Sequence, residues 1–377
     1  MTENPSETIA EHFADLQDPR IDRRKLHPLN NILIIALCAT ICGADSWVDI
    51  ELFGQSKRKW FAKFLDLSNG IPSHDTFGRV FAVLDAEQFQ HCFINWVQAI
   101  CKKLKGQVVA VDGKKVRRSH NRAIGKDAIH MVSAWATESQ LVLGQTKVDD
   151  KSNEITAIPA LLELLELSGC IVTIDAIGCQ KEIAKQLIEQ DANYMLAVKA
   201  NQGTLYTDIQ DLFDDAREID FIDCDYHKTV EKGHGRIEVR ECWTTDHPEY
   251  LATLYKPEQW TGLQAVTMVR AERRIGENCE TESRYYISSL PSDAKQHLNA
   301  VRDHWHIENR LHWVLDVTFH EDDSRIREGN AAQNMTVLRH MALNLIKQEQ
   351  STKRSIRGKR LKAGWNEAYL ARVLCGN

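Results

Sequence analysis

Apolar residues recur at three- and four-residue spacing through about the first hundred positions, which is the spacing of one buried helix face. The pattern is clearest in segments 29–42, 45–65 and 86–104. A turn at residues 70–72 precedes Ser73, a residue type that caps helix N-termini. We therefore predict that residues 1–105 form an N-terminal helical domain, in which no helix pair has a clear helix-turn-helix pattern.

From Gln107 onward the apolar residues come in short runs typical of strands, and helical patterns separate the later runs. The predicted order is strand 107–113, strand 129–137, strand 140–148, helix 155–167, strand 170–178, helix 180–190 and strand 193–201. Three strands followed by alternating helices and strands predict an α/β fold with a mixed sheet over residues 106–201.

After residue 201 this alternation stops. Residues 202–283 carry an acidic run followed by strand-like pieces at 236–243 and 263–274, which predict an inserted β-containing domain. A strand-like run at 283–290 then leads into a long helical pattern, 292–313, within a second core segment at 284–347. Residues 348–377 are predicted to form a basic C-terminal tail.

The composition is that of an ordinary globular protein, with 43% hydrophobic and 27% charged residues in a chain of 377. No apolar run reaches the length of a membrane span, and the start lacks the basic and apolar regions of a signal peptide. Ten cysteines show no zinc-binding spacing. We therefore expect a cytoplasmic protein in a reducing compartment, with no membrane partner.

Charge is distributed unevenly, although the net charge of −6 does not itself indicate a nucleic-acid ligand. Two basic runs, 114–126 and 347–362, contrast with an acidic run at 208–225. Such polarity suits local phosphate binding, and solvated surface charge is the alternative for either basic run.

Two carboxylates directly follow apolar strands: Asp112 ends VVAVD and Asp175 ends IVTID. Ligands of α/β sheets bind beyond the carboxyl ends of strands. A third acid, Glu308, lies in the long helical pattern. Three converging carboxylates suit hard divalent cations, and two such ions promote phosphodiester cleavage. The alternative is a capping role for either aspartate, or a turn at Asp112–Gly113.

Other residues are alternatives to Glu308 as the third metal ligand, or would use it in a different site. His304, Glu308 and His312 are spaced by four residues, so they lie on one helix face and could form a zinc hydrolase site. The acidic run 321–323 (EDD) is a rival to Glu308, which we prefer because its helical pattern is better defined.

Three further features are open to a structural interpretation. Asn201 and Gln202 follow a predicted core strand and either face the site or cap the strand end. Residues 234–236 (HGR) form either a hairpin turn or a DNA-contacting loop. Trp305 and Trp313 are predicted to pack the helix rather than stack on bases.

Several motifs together resemble the insertion-sequence DDE transposases, and within them the branch containing the H-repeat-associated proteins of Rhs elements. The similarity covers nearly the whole chain and includes the N-terminal stretch 18–51. The motifs are VVAVDGK, KSNEITAIP (151–159), TIDAIGCQK, VKANQG (198–203), EKGHGRIEVR (231–240), RYYISS (284–289) and RDHWHIENRLHWVLDVTFHEDDSRIR (302–327).

The resemblance implies a ribonuclease H-like core interrupted by the insertion, with Asp112, Asp175 and Glu308 as the metal-binding catalytic triad. It implies two Mg²⁺ or Mn²⁺ ions, double-stranded DNA as substrate and target, and a homodimer or larger assembly on DNA in the bacterial cytoplasm. Related transposases carry arginine four residues before the glutamate and lysine seven after it; here His304 and Leu315 occupy those positions.

The function predicted from the sequence is therefore metal-dependent cleavage at transposon ends followed by strand transfer into target DNA. The alternatives are a nuclease of the same fold that does not join strands, and a domesticated or inactive element that only binds DNA. The residues predicted to contact DNA are Lys114, Lys115, Arg117, Arg118, Arg302, Arg310 and Arg325, together with the basic runs 114–126 and 347–362.

Overall fold

The computed structural model describes residues 7–101, 104–120, 125, 127–149, 153–233 and 235–375. Helices surround a single large sheet within this part of the chain. The α-helices are α1 (Glu7–His12), α2 (Leu29–Cys42), α3 (Trp47–Ser56), α4 (Arg58–Phe61), α5 (His74–Val83), α6 (Ala86–Ile100), α7 (Glu154–Glu163), α8 (Lys181–Glu189), α9 (Gly203–Glu218), α10 (Pro248–Ala252), α11 (Ala294–His304), α12 (Trp313–Thr318), α13 (Ala331–Gln348), α14 (Ile356–Trp365) and α15 (Glu367–Cys375). The strands are β1 (Val108–Lys115), β2 (His130–Ala136), β3 (Leu141–Lys147), β4 (Ile171–Ile174), β5 (Asn193–Val198), β6 (Asp225–Gly233), β7 (Arg236–Thr245), β8 (Ala265–Ile275) and β9 (Asn278–Ser288).

The sheet has the strand order β3-β2-β1-β4-β5-β9-β8-β7-β6. Strands β1, β4 and β5 are parallel, and every other neighbouring pair is antiparallel. The mixed α/β class and the antiparallel meander at the start of the core are therefore confirmed. Parallel strands need crossover connections, and α7 and α8 lie in the two connections that lead to β4 and β5.

The segment predicted as an insertion extends the same sheet. Strand β9 pairs with β5 from Met195↔Ser288 to Val198↔Tyr285, and β8, β7 and β6 follow outward as antiparallel neighbours. The inner ends of β8 and β9 are buried, whereas their outer ends are exposed. The insertion is therefore joined to the core through continuous backbone hydrogen bonding.

Helix α13 connects the N-terminal helices to the sheet. It packs against α2, α5, α6 and β3 and is buried along nearly its whole length. Asn344 hydrogen-bonds both backbone groups of Val142 in β3, at 2.9 and 3.0 Å, and Asn334 donates to the Phe81 carbonyl at 2.9 Å. The predicted helical region is thus present, and it shares one hydrophobic core with the sheet.

Two cations of the basic run 347–362 are buried in this core, whereas Lys353, Arg354 and Arg357 are exposed. Lys359 is buried and donates to the carbonyls of Ile346 and Glu349, and Arg360 donates to the carbonyls of Thr318 and Thr40. A buried cation that already has its hydrogen bonds cannot also bind a phosphate. The prediction of phosphate contacts throughout this run is therefore wrong for Lys359 and Arg360.

Membrane spans were tested by helix length and hydropathy. No single helix in the described ranges is both long and apolar enough to cross a bilayer, and α2 and α3 pass only when counted together across a 97° bend.

We expect the free energy of unfolding to fall as the pH is lowered from 6.5 toward 4. Burial lowers the pKa of His297 and of His340 from 6.5 to about 4, so the unfolded chain binds these protons first. Each histidine should remove up to about 1.4 kcal/mol per pH unit in this window. Denaturant unfolding at pH 7 and pH 5 checks this, and His297→Asn should reduce the difference. Equal pH dependence in wild type and variant would contradict the assignment.

Candidate metal centre

Asp112 lies in the middle of the sheet, where the parallel pairing of β1 ends. Its neighbour Val111 is opposite Ile174, the last residue of β4, whereas β1 continues to Lys115 against β2. The prediction that the first strand ends at Asp112 is therefore wrong, but the register still places Asp112 beside the position that follows β4. That position is Asp175.

Asp175 begins the 3-10 turn Ala176–Gly178, and its carboxylate accepts a hydrogen bond from the Ile177 amide at 3.1 Å. The capping role considered from the sequence is thus present. It does not remove Asp175 from the site, because the same carboxylate lines a cavity with Asp112 and Glu308.

Glu308 is presented by an irregular stretch of helix. The predicted helix 292–313 is observed as α11, then a π-helical segment at Glu308–His312, then α12. A π segment adds one residue per turn and is common at functional sites. Here it brings Glu308 and His312 toward Asp112: the His312 Nδ1 atom lies 3.6 Å from both Asp112 Oδ2 and Glu308 Oε2.

The three acids line one cavity of about 140 Å³, which we call the acid cavity. It lies beyond the carboxyl ends of β4 and β5 and is closed by α11 and the Glu308 turn. The residues that line it are Asp112, Thr173, Ile174, Asp175, Ala176, Met195, Ala197, Lys199, Arg284, Tyr286, Val301, His304, Trp305 and Glu308.

The carboxylates perturb one another strongly. Burial, with the charges of Glu308 and Asp175 nearby, raises the pKa of Asp112 to about 8. Burial and the charge of Glu154 raise the pKa of Asp175, whereas the adjacent His312 ring lowers the pKa of Glu308. A group of buried carboxylates, two of them with a raised pKa, favours the binding of positive charge. The donor set therefore fits a hard divalent cation.

The other proposed metal ligands are not assembled. Among the described residues, candidate ligand atoms within 4.8 Å of one another come from Asp112, Glu308 and His312. His304 instead places its Nδ1 atom 3.1 Å from the Thr173 hydroxyl, and burial lowers its pKa to about 4. The zinc site predicted from His304, Glu308 and His312 is therefore not formed as a unit.

The rival acid Glu321 has a different partner set. It is 1% exposed and lies 2.8 Å from the Lys114 ammonium and 3.6 Å from the Arg339 guanidinium. Its neighbours Asp322 and Asp323 pair with Arg117 and Arg118. These contacts occupy the 321–323 run and favour Glu308 as the third acid.

Lys114 was predicted to contact DNA, but its ammonium is 12% exposed and lies 2.6 Å from Asp316 and 2.8 Å from Glu321. These contacts already compensate its charge, so we withdraw it from the predicted phosphate contacts. The neighbouring cations differ: Lys115 and Arg325 are exposed, and Arg117 is 81% exposed although it pairs with Asp322. Arg122 and Lys126, of the same basic run, lie outside the described residues.

Two further predicted cations lie on α11 and the following turn. Arg302 pairs with Glu231 of β6, and Arg310 lines a second cavity of about 620 Å³ that also contains Asp303 and His306. Neither residue lines the acid cavity. Two cations that do line it, Lys199 and Arg284, were missed, although both belong to motifs recognised in the sequence, VKANQG and RYYISS.

The remaining alternatives are decided by hydrogen bonds and exposure. The side-chain amide of Asn201 donates to the Ala176 carbonyl and that of Gln202 to the Cys179 carbonyl, which supports strand-end capping. Gly235 has a φ of 73° between β6 and β7, as expected for a hairpin turn, and His234 lies outside the described residues. Trp305 is 43% exposed but packs against Arg284 and His304, as predicted, whereas Trp313 is 57% exposed.

Comparison of the sequence with known proteins places the chain in a family. The Transposase DDE domain model matches residues 103–345, and the DDE_Tnp_1-associated model matches residues 10–97. The chain therefore belongs to the transposase DDE domain family. It is 40% identical over 373 residues to the H repeat-associated putative transposase YhhI of Escherichia coli strain K12, covering 98% of both chains. It is also 41% identical over 372 residues to the Putative transposase YncI of Escherichia coli O157:H7, covering 98% of this chain and 94% of that protein.

Proposed function

We propose that this protein is a DDE-type transposase that cleaves DNA at the ends of its element and joins the freed strands to target DNA. The observation that carries the proposal is that Asp112, Asp175 and Glu308 line one cavity, in which burial raises the pKa of Asp112 and of Asp175. Family membership makes DNA the partner class.

Asp112, Asp175 and Glu308 would hold two Mg²⁺ or Mn²⁺ ions. Such ions, when bound, activate the attacking oxygen and stabilise the leaving oxygen of a phosphodiester. The protein provides the negative charge that retains them, and Asp112 must lose its proton to do so. Lys199 and Arg284, in the same cavity, would neutralise the phosphate that enters it.

The two proposed chemical steps, hydrolysis and strand transfer, both displace a 3′-oxygen from a phosphorus atom. In the first, water attacks a phosphorus atom at the element end, the P–O3′ bond breaks, and the 3′-oxygen takes up a proton. In the second, that 3′-hydroxyl attacks a phosphorus atom of the target strand, the P–O3′ bond of the target breaks, and the proton lost by the attacking hydroxyl is balanced by the one taken up by the displaced 3′-oxygen. Neither step needs an oxidant or reductant.

The domain division belongs to the proposal. The core segments 106–201 and 284–347 supply the acids, and the insertion 202–283 extends the sheet beside them. The helical domain 1–105 and the tail 348–377 would bind DNA at positions distant from the cavity. Because two element ends must be joined, we expect a homodimer or larger assembly on DNA.

A strand-transfer assay tests the proposed function. Duplexes that carry the inverted repeats flanking the gene are incubated with the protein, Mg²⁺ and a target plasmid. We expect nicked ends and joined product. Nicking without joined product would instead support the nuclease alternative, and binding without nicking would support an inactive, DNA-binding element.

Binding to DNA should weaken with salt according to the number of phosphates contacted. Arg117 and Arg118 are exposed beside the end of β1, so we expect the double variant Arg117→Ala, Arg118→Ala to reduce the slope of log K against log salt by about 2. Fluorescence anisotropy over a salt series measures the slope. The control is Lys185→Ala, which removes one exposed cation that pairs along α8 with Glu189 and should leave the slope unchanged. An unchanged slope would mean that Arg117 and Arg118 stay paired with Asp322 and Asp323 and do not contact phosphates.

A further inference from the structure

The position of His312 is not explained by the three-acid pattern. Its side chain is 6% exposed, and its Nδ1 atom is equally distant, 3.6 Å, from a carboxylate oxygen of Asp112 and one of Glu308. Hydrogen bonds from nitrogen to oxygen are about 2.7–3.2 Å long. The ring is therefore close to both acids without being hydrogen-bonded to either.

This spacing matches the separation of ligands around one ion. Ligand atoms about 2.1 Å from a six-coordinate cation are about 3.0 Å apart when adjacent and about 4.2 Å apart when opposite. The three candidate ligand atoms of Asp112, Glu308 and His312 all lie within 4.8 Å of one another. A contraction of a few tenths of an ångström would bring them around one cation.

The other ring nitrogen would carry the proton of a ring that binds metal through Nδ1. His312 Nε2 is buried and has no hydrogen-bond partner among the described groups. His340, which interacts electrostatically with both His312 and Glu321, is fully buried, and both of its ring nitrogens are also unpartnered. A histidine that binds metal through Nδ1 carries its proton on Nε2, and such protons are commonly held by a neighbouring acceptor or a buried water.

We propose that His312 is a direct ligand, through Nδ1, of the cation held between Asp112 and Glu308. The inference rests on the proposed metal-dependent function. The cation between Asp112 and Glu308 would then have both nitrogen and oxygen ligands. Imidazole binds Mn²⁺ more favourably than Mg²⁺, whereas carboxylates accept either. The site should therefore prefer Mn²⁺.

Electron spin-echo spectroscopy of the Mn²⁺-loaded, full-length protein without DNA tests this ligand directly. We expect the nitrogen modulation of one bound imidazole in the unmutated protein. It should disappear in His312→Leu, which removes the nitrogen but keeps an apolar side chain of similar size. It should persist in His304→Asn, the matched change at the neighbouring buried histidine.

Metal affinities provide a second measurement. Mn²⁺ binding to His312→Leu should weaken about 10–100-fold, and Mg²⁺ binding about threefold or less, so the Mn²⁺/Mg²⁺ ratio falls. If Mn²⁺ binds the unmutated protein without nitrogen modulation, His312 is not a ligand although the carboxylate centre remains. If Mn²⁺ does not bind, or binds equally well to Asp112→Asn, the proposed metal centre itself fails. If His312→Leu does not fold, loss of the modulation in His312→Gln, which also lacks the imidazole, identifies the ligand.

Discussion

Replacing Asp112 by asparagine should reduce DNA cleavage and joining by at least about a thousandfold while stabilising the metal-free protein. The activity is lost because the amide cannot balance the charge of two cations. The stability increases because the pKa of Asp112 in the folded protein is about 8, against an ordinary value of 3.8, so folding is penalised whenever this group is ionised in the unfolded chain. One pKa unit corresponds to about 1.4 kcal/mol.

The sign of the stability change gives a specific pH test. At pH 7.5 without metal, Asp112→Asn should melt at a higher temperature than wild type, and the difference should vanish below pH 4, where aspartate is protonated in both states. Saturating Mg²⁺ should reverse the order by stabilising only the wild type. Asp215→Asn, an exposed position on α9, is the control and should change neither property. Cleavage that survives Asp112→Asn would contradict the proposed mechanism.

Replacing Glu321 by glutamine should lower the free energy of unfolding by about 3–5 kcal/mol. Glu321 is the buried carboxylate between the ammonium of Lys114 on β1 and the guanidinium of Arg339 on α13. Its loss leaves two buried cations with less compensating charge. Denaturant unfolding, followed by tryptophan fluorescence, measures the loss.

The matched control lies two residues away. Asp323 is 65% exposed and pairs with Arg118 on the surface, so Asp323→Asn should change stability by about 0.5 kcal/mol or less. The double variant Glu321→Gln, Arg339→Met should be less destabilised than the sum of its single variants, because each residue compensates the other. Equal effects of Glu321→Gln and Asp323→Asn would show that the buried network contributes little.

The adjacency of Asp112 and Asp175 could be predicted from sequence because it depends on a rule of sheet geometry. Two apolar runs separated by a helical pattern become parallel neighbours, and residues that follow them meet at one edge. The structure has β1 beside β4 in that register. The exact end of β1 could not be predicted, since β2 extends its pairing for three residues beyond Asp112.

The arrangement around Glu308, the third acid of the site, depends on contacts that cannot be read from the spacing of residues in the sequence. A regular helix would place His304, Glu308 and His312 on one face. In the structure His304, before the π segment, contacts Thr173, and His312, at its end, lies beside Asp112. Likewise, a run of acids or bases does not reveal which members are buried. Glu321 pairs with Lys114 of the distant strand β1, and Lys359 donates to carbonyls at the end of α13 and just after it; only the folded packing distinguishes them from their exposed neighbours.

The continuous sheet sets a length for bound DNA. From β4, which precedes Asp175, to the edge strand β6 there are five strand spacings, or about 24 Å. At about 3.4 Å per base pair, a duplex lying across the sheet with its cut site at the acid cavity would reach the outer hairpin about seven base pairs inside the cut. Because these strands share one hydrogen-bonded sheet, the fold fixes the distance from the acid cavity to the outer hairpin.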